Sequence, residues 1–317
     1  MIGKHKRILI TWATWFIWSN IVRRLISEWF TDVHIFARDD SNFSRINDIL
    51  DKIHVHNIDF WDIFQVNAMV EKIHPEIIFH LATAWASVGK DLITINELYN
   101  SNVLGTINLL EACKNVWFDY FINTWSSSEY GQKDMPMKET DILEPNNDYW
   151  LSKASATMYC SYVWKGNQLP VYTFRIFSAY GYAEEKRRLI PTLLSNYMNW
   201  TTPSLSNPDS VRDYIFIDDI VDCYLNIDKI TWDYGWIINI WSGVQYKISE
   251  IVNNIKAILD SQIDPAYWGE SQKQIEPKYW ISDNTKMSKI FENTLTTFSE
   301  WLKKTIERIK KNPDFYM

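Results

Sequence analysis

The chain has 317 residues, 46% hydrophobic and 22% charged, with a net charge of -7. That composition is ordinary for a globular protein, and the length suits one large domain or two modest ones. The acidic balance, with no basic stripe interleaved with aromatics, argues against nucleic acid as a partner.

Near the N-terminus, Lys4, Lys6 and Arg7 precede an apolar run from Ile8 to Trp18. The order is that of a secretory signal, but the run leads into an amphipathic helix and not to a small-residue cleavage site, so a signal is rejected. A strand at Arg7–Ile10 is followed by a helix near Ser19–Glu28, a strand at Val33–Phe36 and a helix near Ser44–Leu50. Then come a short strand at His54–Asn57, a helix near Ile63–Ile73, a strand at Ile77–His80, a long helix over about Ile95–Asn115 and a strand at Tyr120–Thr124. This alternation predicts an α/β fold: a Rossmann-type, doubly wound parallel sheet covered by helices on both faces, with right-handed connections. A helix over Tyr149–Trp164 and a strand at Val171–Arg175 follow, and helices at Ile248–Leu259 and Ser299–Lys310 close the chain. The domains expected are a dinucleotide-binding unit at 1–176 plus about 213–242, and a smaller C-terminal substrate domain at 177–212 and 243–317.

No run of about 18 apolar residues occurs, so no membrane span is expected. Cys113, Cys160 and Cys223 are scattered and odd in number, which favours reduced thiols in a cytoplasmic protein over a disulfide framework. With no CxxC, HExxH or clustered ligand set, no metal is expected, and His54 and His56 read as one face of an ordinary strand.

The sequence holds 17 Trp and only 9 Gly, where roughly 22 glycines would be usual. Together the two types restore a normal glycine complement. Position makes the point sharper. Thr11 to Ser19 reads T-W-A-T-W-F-I-W-S, and with Trp12, Trp15 and Trp18 read as glycine it is a glycine-rich loop between strand and helix. Trp29 stands where a helix ends, Trp125 at a strand end, and Trp232, Trp236 and Trp241 at turns around a strand over Ile237–Ile240. Glycine alone accepts φ > 0 freely and lets the backbone approach a phosphate. We therefore expect the gene to use UGA as a glycine codon. Trp280 can be genuine, and Trp61, Trp164 and Trp268 stay undecided.

Three groups of residues carry chemistry. A glycine loop at 12, 15 and 18 would aim helix N–H groups and the helix dipole at a pyrophosphate. At the end of the second strand an acid would hold ribose hydroxyls, but Ala37 stands there and Arg38 follows, which favours NADP over NAD; Asp59 is placed to accept from an adenine amino group. Tyr149 and Lys153 lie four residues apart on one helix face, after the cap candidates Asn147 and Asp148. A phenol is a poor base at neutral pH, and a neighbouring ammonium favours its ionised form. Upstream, the cluster Ser126, Ser127 and Ser128 offers a hydroxyl to hold a substrate oxygen.

These residues resemble the extended short-chain dehydrogenase/reductase family, in its nucleotide-sugar epimerase/dehydratase branch. The resemblance is carried by His80-Leu-Ala82, by the stretch from Asn102 to Ala112, by Ser126 to Gly131, by Tyr149 to Lys153 and by Arg212 to Asp219. It implies Ser126, Tyr149 and Lys153 as the catalytic set, with Ser127 an alternative hydroxyl. It puts Trp12, Trp15, Phe16, Ile17, Arg38, Asp59, Leu81, Ala82 and Lys153 against the cofactor. It puts Ser127, Ser178 and Arg212 against the substrate, with Arg212 gripping a nucleotide diphosphate and Ser178 standing where the family often has Asn. Asp218 and Asp219 are expected to cap a helix over Ile220–Asn226. The implied activity is at C4 of a nucleotide-linked sugar: 4-keto reduction first, 4-epimerisation as the alternative, 4,6-dehydration or a silent dinucleotide sensor behind them. A homodimer is implied through helices near 95–115 and 149–164, with Met158 and Tyr162 as contacts.

Overall fold

The computed structural model describes residues 1–81, 94–267, 279–283, 285–292 and 295–311. Two compact units emerge, one of residues 1–131, 139–176 and 224–239, the other of 132–138, 177–223 and 240–317. Residues 213–223, expected with the first unit, and 132–138 both group with the second.

The first unit is built on a seven-stranded sheet. Its strands are β1 (Ile8–Thr11), β2 (Val33–Ala37), β3 (His54–Asn57), β4 (Ile77–His80), β5 (Tyr120–Ser126), β6 (Val171–Ile176) and, in chain order after three further strands of the second unit, β10 (Ile237–Ile240). The spatial order is β10-β6-β5-β4-β1-β2-β3, and β1 pairs in parallel with both β2 and β4. β1 and β4 are buried throughout, as strands covered on both faces must be. The helices are α1 (Phe16–Ser27), α2 (Ile63–Ile73), α3 (Ile95–Tyr99), α4 (Gly105–Lys114) and α5 (Asp148–Asn167). Leu9, Phe36, Ile78 and Phe121 of the sheet pack with Val66 and Val70 of α2, Leu109 and Leu110 of α4, and Cys160 and Val163 of α5. Caps follow the sequence: Asp62 accepts from the backbone N–H of Phe64 and Gln65, and Asn147, an expected cap, accepts from Trp150 N–H at 2.9 Å.

Two expectations are corrected in this unit. The helix placed near Ser44–Leu50 is a 3-10 helix over Asn47–Lys52. The long helix over Ile95–Asn115 is interrupted by a π-turn at Asn100–Leu104, which hydrophobic periodicity cannot register because one added residue leaves the pattern helical on both sides. The turn buries Asn102, whose side-chain amide donates to Ser152 Oγ at 2.9 Å on α5.

The second unit holds β7 (Ser178–Tyr180), β9 (Val211–Phe216) and β11 (Gln245–Lys247) in a three-stranded sheet, and β8 (Ser204–Leu205) paired with β12 (Ala266–Tyr267). Around them lie α6 (Leu189–Met198), α8 (Ile248–Leu259), α9 (Thr285–Phe291) and α10 (Phe298–Lys311), and α7 (Ile217–Leu225) follows β9 directly. Because α7 begins at Ile217, Asp218 and Asp219 sit inside its first turn and do not cap it. Asp219 instead accepts from the backbone and hydroxyl of Thr296.

Eight described residues other than glycine have φ > 0, and three are Trp12, Trp29 and Trp200, at +58, +67 and +57°. Trp29 follows the end of α1. Its N–H donates to Ile26 O, and the next N–H, of Phe30, donates to Leu25 O. Trp200 follows α6 in the same way, with Trp200 N–H on Tyr197 O and Thr201 N–H on Asn196 O. This pair of bonds is the Schellman closure, whose left-handed residue is usually glycine. A Cβ there costs roughly 1–2 kcal/mol.

The centre of the sheet is pinned by His80. Its Nδ1 lies 3.1 Å from Thr11 Oγ1 and its Nε2 3.0 Å from Thr106 Oγ1. Burial, with Lys153 nearby, pushes the imidazole down to about 3. The folded pKa is depressed, so the neutral ring's contribution is full above the unfolded value and fades as pH falls toward the folded one. His80→Gln is therefore expected to be less stable than the parent at neutral pH, by about 1–3 kcal/mol. Urea unfolding at stepped pH should show that gap shrinking between pH 6.5 and about 3; a constant gap would contradict it.

Candidate active site

The candidate site assembles where β1, β4 and β5 end. Thr11 Oγ1 accepts from Leu81 N–H at 3.0 Å, which fixes the backbone just beyond β4. Ala82 lies outside the described residues. α1 opens at Phe16 and Ile17 after Trp15, an extended residue that gives no side-chain cap. The first N–H groups of a helix lack intrahelical acceptors and favour an anion.

Beside this turn is a hollow of about 400 Å³ whose wall includes Trp12, Arg38, Asp39, Asp40, Asp59 and Ser101. The structure thus brings Trp12, Arg38 and Asp59 together on the wall of one hollow. Arg38 is already engaged: its guanidinium lies 4.7 Å from the Trp12 ring centroid and its Nε 3.3 Å from Asp40. Asp59 accepts from Trp61 N–H at 2.9 Å.

Ser126 ends β5, and its Oγ contacts Ser128 Oγ at 3.1 Å. Ser127 begins a 3-10 turn and is buried. Tyr149 and Lys153 share a face of α5, with Lys153 Nζ 5.3 Å from the Tyr149 ring centroid. A closer partner is the Trp125 ring, at 3.7 Å. Lys153 is 2% exposed, and desolvation holds its ammonium well below the usual lysine range while the charge of Glu129 acts in the opposite direction.

Behind these groups lies an arrangement that the sequence reading missed. Glu129 and Arg175, each with a side chain 1% exposed, pair at 3.1 Å. The Arg175 guanidinium also lies 4.6 Å from the Tyr130 ring, and Tyr130 donates its hydroxyl to Asn239 Oδ1 at 2.8 Å. The available signal was Arg175, a charge inside the largely apolar strand β6.

Ser178 and Arg212 belong to the second unit. Ser178 pairs with Tyr214 across β7 and β9. Arg212 donates to Val211 O at 2.6 Å and has its guanidinium 5.0 Å from the Trp280 ring.

A further cluster, Asp32, His34 and His54, brings its ligand-type atoms within 4.8 Å of one another. His34 bonds Asp32 at 2.8 Å and His56 at 2.9 Å. These residues lie at and before the starting ends of β2 and β3, away from the ends that form the site.

Residues 8–229 match the profile of the NAD dependent epimerase/dehydratase family. The chain belongs to that family. It is 26% identical, over 98% of its length, to a trifunctional UDP-glucose 4,6-dehydratase/UDP-4-keto-6-deoxy-D-glucose 3,5-epimerase/UDP-4-keto-L-rhamnose-reductase of Arabidopsis thaliana. That match covers 48% of the plant protein, so the chain spans about half the length of such relatives. It is 23% identical to a UDP-glucose 4-epimerase of Mycoplasma pneumoniae, with 92% of each chain covered. In fold it is similar to a UDP-N-acetylglucosamine 4-epimerase from Methanobrevibacter ruminantium, with a TM-score of 0.86, 23% identity and 98% and 99% of the two chains covered.

The family implies NAD, and the site can be tested for it. The uncapped start of α1, the fixed Leu81 backbone and the hollow fit a dinucleotide. The side chains at 12, 15 and 125 do not. The Trp12 and Trp15 rings lie 6.5 Å apart at the phosphate turn, where a pyrophosphate needs bare backbone. The Trp12 and Trp125 indole N–H groups are buried without a partner, and Trp125 occupies Lys153.

The buried pair behind the site gives a measurable consequence. Arg175→Leu removes one charge and strands Glu129, and breaking such a pair costs about 3–5 kcal/mol. Urea unfolding at neutral pH is expected to show a loss of that order; a loss under about 1 kcal/mol would mean that the pair is not formed as described.

Proposed function

We propose that the protein is a nucleotide-sugar enzyme that works at C4 of the sugar, with 4-keto reduction as its reaction and 4-epimerisation as the alternative. One observation carries this reading: Tyr149 and Lys153 share a face of α5, and Lys153 lies against the ring of Trp125, the neighbour of Ser126 at the end of β5, in a chain of the epimerase/dehydratase family. In this proposal the Ser126 hydroxyl holds the oxygen on C4. Tyr149 moves the proton between its phenol and that oxygen, and the Lys153 ammonium favours the phenolate. Ser178 and Arg212 hold the sugar and its diphosphate, the latter through charge-assisted bonds.

A 4,6-dehydratase needs an acid beside the catalytic hydroxyl. Glu129 supports the reductase reading over that one, because it is fully buried, tied to Arg175 and held above the usual carboxylate range by burial. A carboxyl so placed has no path to a sugar. We extend the proposal to a cytoplasmic homodimer. Exposed Leu151, Met158 and Tyr162 recur at helical spacing on α5 and form an apolar stripe suited to a second copy.

On the cofactor, Arg38 speaks for NADP, as the sequence suggested. The charges around it speak for NAD. Asp39, Asp40 and Asp59 line the same hollow, and a 2′-phosphate would meet all three carboxylates with Arg38 already paired to one of them. We therefore propose NAD as the preferred dinucleotide.

Both tests use the chain carrying Trp12→Gly, Trp15→Gly, Trp18→Gly and Trp125→Gly, since the indoles at 12, 15 and 125 do not fit a dinucleotide. Assayed with a panel of nucleotide-linked sugars and keto-sugars, Tyr149→Phe is expected to lose about 10²–10⁴-fold in turnover with cofactor affinity nearly unchanged. Near-native turnover would remove Tyr149 from the reaction. By fluorescence titration NADH should bind more tightly than NADPH, and Arg38→Ala should not reverse that order. Tighter NADPH binding, lost selectively in Arg38→Ala, would return the preference to NADP.

A further inference from the structure

Position 301 was not singled out by its sequence context. It lies within α10, with no turn to demand glycine. The structure singles it out by packing. The Trp301 ring centroid lies 2.9 Å from that of Phe216, whereas aromatic pairs keep their centroids 4.5–7 Å apart. Two rings are being asked to share one volume. The Trp301 indole N–H is also buried without a partner, although a buried tryptophan ordinarily finds one. Neither feature is that of a tryptophan seated in a core built for it.

Positions 29 and 200 give the same answer from the backbone. Each is the left-handed residue of a Schellman closure, and each indole is mostly exposed, at 79% and 75%. The side chain therefore gains almost no burial to offset its strain. Position 12 combines both signs, with φ at +58° and a buried, unpartnered N–H. Position 125 adds a buried N–H without a partner, against a lysine on the reactive face of α5. Trp280 makes no such demand: it is buried beside the Arg212 guanidinium and its N–H is not among the orphans.

These sites lie in both units, on turns, at a strand end and inside a helix. What they share is the exchange itself: tryptophan at a left-handed helix end, against a ring already in place, or with its N–H buried and unpartnered. Independent mutations would scatter over many residue types. One codon read two ways would not. We infer that the protein made by its own cell carries glycine at 12, 29, 125, 200 and 301, and that the codon at each is UGA read as glycine. The inference rests on backbone angles and packing, and it stands whether or not the sugar chemistry proposed above is correct.

The decisive experiment is peptide mass spectrometry on the protein isolated from its source, with the gene sequenced beside it. Peptides spanning 29, 200 and 301 should be lighter than the printed sequence by one tryptophan-to-glycine difference per site, over UGA codons. Tryptophan-containing peptides or UGG codons would overturn the inference. A second arm uses recombinant chains and needs no substrate. Trp29→Gly, Trp200→Gly and Trp301→Gly, combined, should raise Tm above that of the printed chain, and a lower Tm would count against it. A glycine-bearing chain that folds better yet turns over no nucleotide-linked sugar would sink the proposed function and leave this inference intact.

Discussion

The site depends on how the backbone leaves β1. β1 lies between β2 and β4, where the sheet order reverses direction, and a ligand in such a fold binds at that switch point. To turn there the chain goes left-handed at Trp12, whose N–H still reaches back to Phe36 O at 3.0 Å. Trp15 N–H then closes on Trp12 O at 3.3 Å and α1 begins. This one turn aims the free N–H groups of α1 and places the hollow beside Arg38. The geometry is set by the strands and by α1, so it persists with an unsuitable side chain, and the misfit at Trp12 is local.

Much of this was legible in the residues. The strand–helix rhythm gave the parallel sheet, because doubly covered strands are uniformly apolar and helices between them carry an amphipathic period. The cap Asn147 and the left-handed turn at Trp29 were legible from short-range chemistry, since each depends on residues within one helical turn. What stayed hidden depends on contacts distant in sequence. The π-turn before α4 is stabilised by Asn102 reaching Ser152, fifty positions away. Glu129 and Arg175 meet only because β5 and β6 are neighbours. Trp301 is wrong for its place only because Phe216 is already there. A helix containing tryptophan breaks no local rule.

The buried charges behind Ser126 form a graded series. Arg175 faces Glu129 directly, and Glu129 in turn acts on Lys153 through space. Glu129 thus sits electrostatically between two cations but is bonded to only one. A fully buried ammonium is costly unless something compensates it. Glu129 supplies part of that compensation without a bond, which leaves the hydrogens of Lys153 available for a group on the open side of α5.

That division bears on what Trp125 does to the site. An indole face attracts an ammonium, and more strongly when water is excluded. At 3.7 Å the ring offers Lys153 a partner that needs no proton transfer and no ligand. The Tyr149 ring is the farther of the two, at 5.3 Å. With glycine at 125 the ring is gone, while the burial of Lys153 and the charge of Glu129 remain, because both come from the surrounding core. The phenol of Tyr149, one helical turn back on the same face, then becomes the nearby group able to compensate the cation. The strength of the Tyr149–Lys153 coupling is therefore controlled from β5. A residue at 125 with any sizeable polarisable side chain competes with Tyr149 for the lysine.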